Sequence, residues 1–146
     1  MRLVSVDAEL FVPKGSMRAQ PIRFRLSFSD GRSLRLSGDG TGEALRVDAE
    51  PLEPTVDMGR YGETFYQDVI CLLSPYLMDT PVERLTMLEL AGVQVGFSLV
   101  PTAGQAFHIW VDGDEFYWGN DSALAEHPWR NGAAPTQTKF VWMNDK

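Results

Sequence analysis

Cysteine is almost missing from this chain: Cys71 is the single one in 146 residues. An internal disulfide is thereby excluded, and the composition fits a reducing, cytoplasmic setting. Histidine is scarce too, with only His108 and His127. Neither stands at a metal-ligand spacing from a cysteine or carboxylate cluster, so no metal is expected. Asp112, Asp114 and Asp121 resemble an acidic calcium loop, but the EF-hand pattern fails after its second position. No apolar run approaches the roughly 18 to 20 residues that cross a bilayer, so no membrane association is expected. Asp7 and Glu9 interrupt the first ten residues, where a signal peptide would keep an apolar core. The nucleophile elbow GxSxG and the HExxH pair are both missing. Gly38, Gly40 and Gly42 do not form a nucleotide loop, because the GxGxxG spacing fails, no helix follows and no P-loop lysine is present. None of this calls for a cofactor.

Positive charge is also in short supply. Thirteen lysines and arginines stand against twenty aspartates and glutamates, a net charge of −7. Residues 76–146 hold four basic and nine acidic side chains, so most of the excess lies in the second half. Such a surface repels phosphate backbones, which argues against nucleic acid and permits a basic protein partner.

What is present is ordinary for one globular domain spanning 1–146: 44% hydrophobic, 23% charged and 11% aromatic residues. Alternation of period two dominates. In residues 3–12 the set Val4, Val6, Ala8, Leu10 and Val12 alternates with Ser5, Asp7, Glu9 and Phe11. A three-residue loop Ser29-Asp30-Gly31 pairs Leu26 with Leu34 and Phe24 with Leu36, which puts apolar side chains on one shared face. Arg23, Arg25 and Arg35 then occupy the outer face, with Asp7 and Glu9 as partners if the first strand is adjacent. Leu45, Val47 and Ala49 mark a further strand.

Tyr61, Phe65, Val69, Leu72 and Leu73 recur at three- and four-residue spacings, which predicts one helix near 61–73 that ends before Pro75 and buries Cys71; a strand over residues 65–73 is the alternative, because short apolar runs are ambiguous. Thr80-Pro81-Val82-Glu83 reads as at most one helical turn. An Ala91-Gly92 hairpin follows, opposing Leu88 to Val95 and Thr86 to Phe97. A second hairpin is predicted to turn at Asp112-Gly113, pairing Ile109 with Phe116 and Trp110 with Glu115. Residues 120–127 suggest a short helix closed by Pro128, and 139–143 a final strand. The expected fold is a mostly β, antiparallel sandwich or open barrel of eight to ten strands.

The second hairpin supplies the one candidate site. Its core face carries Phe107, Ile109, Val111, Phe116 and Trp118; the other carries His108, Trp110, Glu115 and Tyr117. Aromatic and charged groups on one rigid face suit recognition of a protein or a sugar. Alternatively, another element covers them and they form a second core layer. The leading expectation is a non-enzymatic, immunity- or adaptor-like module that binds a protein, with a basic partner favoured by charge. A small-ligand or carbohydrate binder is the second reading, with Trp110, Tyr117 and Trp129 as stacking platforms. A hydrolase built on His108 and Glu115 is the third.

Overall fold

A computed structural model describes residues 1–41, 43–52, 59–69, 80–129 and 132–142. Strands β1 (Leu3–Pro13), β2 (Gln20–Phe28), β3 (Ser33–Gly38), β4 (Leu45–Asp48) and β5 (Gly62–Asp68) make one antiparallel sheet, ordered β4-β3-β2-β1-β5. Strands β6 (Val82–Leu90), β7 (Val93–Pro101), β8 (Phe107–Asp112), β9 (Glu115–Gly119) and β10 (Thr136–Lys139) make the second, ordered β10-β6-β7-β8-β9. Neither sheet closes on itself, so the expected antiparallel fold takes its sandwich form. One short helix, α1 (Asp121–Glu126), follows β9 as expected. No described helix is long and apolar enough to cross a membrane.

Alternation builds the core. Val6, Ala8, Phe24, Leu26, Leu34 and Leu36 project from the first sheet onto Leu85, Met87, Phe97, Leu99, Ile109 and Val111 of the second, and all are buried. The β2–β3 register is the expected one, with Leu26 opposite Leu34 and Phe24 opposite Leu36. Gly31 in the loop adopts φ 88°, the left-handed conformation that this three-residue connection requires. Asp7 lies opposite Arg25 and Glu9 opposite Arg23, as the charge pattern implied.

Several expectations need correction. Residues 62–68 are not helical: they extend the first sheet as β5, with Phe65 opposite Leu10 and Tyr66 opposite Glu9. Pairing with the long edge of β1 overrides the helical spacing, in a segment whose Thr64, Phe65 and Tyr66 already favour strand. Tyr61 ends a short 3-10 turn and Val69 is buried just past β5, while residues 70–73, including Cys71, lie outside the described residues. Val4 is 56% exposed, because a register shift between Leu3 and Ser5 turns it outward. Thr80–Glu83 forms no helical turn: Pro81 makes an isolated bridge with Arg2 and Val82 already begins β6. The last described strand is Thr136–Lys139, four polar or basic residues beside β6. Phe140 and Trp142 instead fold edge-on against Phe97 and Phe28.

The two hairpins of the second sheet differ from expectation in distinct ways. In β6–β7 the pairs Leu90–Val93 and Glu89–Gln94 hold, but a bulge then sets Leu88 opposite Gly96 and Met87 opposite Phe97. The extra residue, Val95, is buried on the outer side beside Leu88, and Met87 replaces Thr86 as the core partner of Phe97. In β8–β9 the turn is Gly113-Asp114, with φ of 60° and 71°. Both central residues are left-handed, as the hairpin turn whose twist matches the strands demands. Ile109 therefore faces Trp118, and Trp110 faces Tyr117. Sliding a turn by one residue moves every partner by two, so each side chain keeps its expected face, although Trp118, expected in the core, is 38% exposed.

Candidate functional site

The quartet offered as a candidate recognition face, or else a second core layer, divides. Glu115 is exposed and Tyr117 half-buried, whereas His108 is 0% and Trp110 2% exposed. Gly96 prepares this burial: a Cβ there would come within 2.8 Å of the Ile109 carbonyl and 3.0 Å of the Trp110 Cβ. A bare backbone lets β8 seat its indole above β7. The chain then returns over the outer face through α1 and residues 127–129. Leu88, Val95, Trp110 and Trp129 form a second, smaller apolar cluster, with Ala123 and Leu124 of α1 against it.

Two histidine–aspartate contacts pin this covering layer. His108 Nδ1 lies 2.6 Å from Ser98 Oγ, and its Nε2 lies 2.6 Å from Asp121 Oδ1 at the start of α1. A neutral imidazole satisfies both contacts, donating from Nε2 to the carboxylate and accepting the Ser98 hydroxyl at Nδ1. The chain of groups looks like a Ser-His-Asp relay, but its exposure is reversed. Ser98 is 0% exposed and the Asp121 carboxylate 77%, so no acyl group can reach the hydroxyl. The arrangement is a clamp.

At the other end of α1, His127 Nε2 lies 2.8 Å from Asp112 Oδ2. Its ring meets Tyr117 at 4.6 Å and Trp129 at 4.5 Å between centroids. Tyr117 stacks on Trp110 and donates its hydroxyl to Glu115 at 3.0 Å. That hydrogen bond holds the Tyr117 proton, with burial adding to it, so the phenol titrates above its ordinary range and is no base near neutrality. His108 and Glu115 have separate partners and do not form the pair that a hydrolase reading requires. The indole N–H groups of Trp110 and Trp129 are buried with no hydrogen-bond partner among the described residues.

Beside this layer, at the turn end of the second sheet, opens a cleft of about 850 Å³. Leu90, Val93, Val95, Val111 and Trp129 give it an apolar lining. Val93 is 38% exposed there. Glu43, Glu89, Asp112 and Asp114 supply carboxylates, and no described lysine or arginine lines it. Its two hairpin turns carry Ala91 at φ 51° and Asp114 at φ 71°. These are the only non-glycine residues with positive φ among the described ones, and both line this cleft. Sequence reasoning passed over Glu43, Glu89 and Ala91 because their proximity depends on the sandwich. The legible signals were an alanine before Gly92 and an aspartate after Gly113, each at a turn position that favours asparagine or glycine.

No family model, curated protein or solved structure matches the chain.

Proposed function

We propose that the protein is a non-enzymatic module that binds another protein through the cleft between its β6–β7 and β8–β9 turns. The observation that carries this reading is the coincidence of left-handed Ala91 and Asp114 on one open apolar concavity. Left-handed alanine and aspartate each cost on the order of 1 kcal/mol, and such conformations cluster at binding surfaces. The apolar lining joined to the exposed Val93 adds the anchoring area that interfaces use. A carbohydrate reading is less well supported. Trp110 and Trp129 are 2% and 9% exposed, so neither offers an open ring face for a sugar.

Site-specific photocrosslinking tests the proposal. A benzophenone side chain placed at position 93 should link one discrete protein in cells of the source organism. The same group at position 4, exposed on the opposite sheet, should not. Identical products from both positions, or none from position 93, would overturn the assignment of the cleft.

A further inference from the structure

Resting on that reading, we infer that the cleft receives a basic amphipathic segment: a bulky aliphatic side chain flanked by lysines or arginines. The apolar part follows from the lining. Exposed Val93 and half-buried Leu90 offer only hydrocarbon over the buried Val95 and Val111, and Trp129 is too buried to stack, so the complementary group is aliphatic. The charge follows from the four carboxylates. Asp112 is occupied by its contact with His127, and Glu43, Glu89 and Asp114 have no ion-pair partner among the described residues. Carboxylates gathered around a low-dielectric surface focus a negative potential that draws a cation in and repels an anion.

This sign belongs to the site and is not merely that of an acidic chain. The other large cleft, about 740 Å³, is lined by Arg32, Arg84 and Lys139 with Glu83 as its one carboxylate. Two concavities of similar size on one molecule thus carry opposite charge. Asp114 has a further advantage as a selector, because the Gly113-Asp114 turn holds its backbone in a fixed left-handed conformation. A carboxylate on a preset backbone loses less freedom on meeting a cation than one on a mobile loop.

The test uses the full chain and a fluorescein-labelled heptapeptide with a central leucine between two lysines on each side, read by anisotropy. Binding should be saturable and should weaken with salt as the screening length shortens from about 10 Å. Replacing the leucine by glycine, or all four lysines by serine, should each weaken it by about tenfold or more. The double variant Glu89→Gln, Asp114→Asn should weaken the lysine peptide by about tenfold and leave the serine peptide unchanged. Asparagine tolerates the left-handed turn, so this variant keeps the hairpin. Equal binding of lysine and serine peptides, or equal binding to both proteins, would overturn the inference. Tight saturable binding of a free polyamine, undiminished against the peptide, would also overturn it in favour of a small cationic ligand. Failure here is separable from failure of the cleft assignment. A crosslinked partner at position 93 whose linked peptide is acidic or uncharged keeps the site and refutes its chemistry.

Discussion

The outer faces of the two sheets settle their polar groups in opposite ways. On the first sheet the carboxylate partners of Arg23 and Arg35 come from the neighbouring strands. Arg23 pairs with Glu9, and Arg35 grips Asp48 through two hydrogen bonds of 2.9 and 2.8 Å. On the second sheet the partners arrive from further along the chain. Asp121 reaches back to His108, and His127 to Asp112, with α1 laid between them. A ladder of adjacent charges satisfies its own face without a covering segment, even where Glu9 is buried within it. A returning segment converts its face into a second core layer, and the cleft opens where that layer stops. The candidate site therefore lies at the edge of the aromatic cluster, where the cover ends.

The largest expected effect tests whether the second face is truly core. Ile109→Ala and Trp110→Ala should each destabilise the protein by several kcal/mol, about 2–5 and about 3–5 respectively, since both side chains are almost wholly buried. Urea titrations with equal slopes should show midpoint shifts of similar size. A small shift for Trp110→Ala alone would mean that the covering layer contributes little and that the two sheets do not differ as described.

Next comes the first sheet. Glu9 is 1% exposed, and its Oε1 has no partner among the described residues. Arg23→Ala would leave this carboxylate buried and unpaired, at a cost of about 1–3 kcal/mol. Adding Glu9→Gln to that variant should recover part of the loss, because the stranded charge is then removed. If the double variant is no more stable than Arg23→Ala in urea, Glu9 does not depend on this ladder.

How far each face was legible follows from the same contrast. The first sheet was read correctly where a glycine turn fixed the register and charges alternated, as with Asp7, Glu9, Arg23 and Arg25. Faces in the β8–β9 hairpin were right although partners were not, because moving the turn from Asp112-Gly113 to Gly113-Asp114 preserves parity. The β6–β7 bulge was hidden, since Leu88 can oppose either Val95 or Gly96 without breaking local alternation; only the seating of Trp110 over Gly96 decides it. The burial of His108 and Trp110 depends on residues 121–129 folding back, and no local pattern encodes that return. The cleft was least legible of all, since Glu43, Glu89 and Asp114 belong to three separate loops or strand ends.

A smaller effect probes the clamp. Asp121→Ala removes the partner of His108 Nε2 and should cost about 1 kcal/mol. Amide exchange should quicken in α1 while the first sheet stays unchanged. Asp121→Asn keeps an oxygen acceptor for a neutral imidazole and should restore most of the loss. If asparagine is as damaging as alanine, the contact is an ion pair with a protonated histidine, and the layer is held by charge.

The smallest effect lies in the pH dependence of the first sheet, where two carboxylates oppose each other in sign. Burial pushes Asp48 up, but the Arg35 hydrogen bonds and the Glu50 amide outweigh it and hold its carboxyl below the ordinary value. Asp48 therefore contributes stability above the ordinary carboxylate range, and that contribution is lost as pH falls through its lowered value. Asp7 behaves oppositely. Partial burial raises its pKa and the neighbouring Asp68 adds to the rise, with Arg25 only partly compensating. The folded state thus disfavours the Asp7 charge, and the penalty appears as pH rises from the ordinary value of 3.8 through the raised one. Asp7→Asn should raise the urea midpoint slightly at neutral pH and leave it unchanged at about pH 3, where the aspartate is largely protonated in both states. Asp48→Asn should lower the midpoint at neutral pH, with a smaller loss at about pH 3. Equal shifts at both pH values for Asp7→Asn would place the effect in side-chain contacts, and the ladder would then owe nothing to the Asp7 charge.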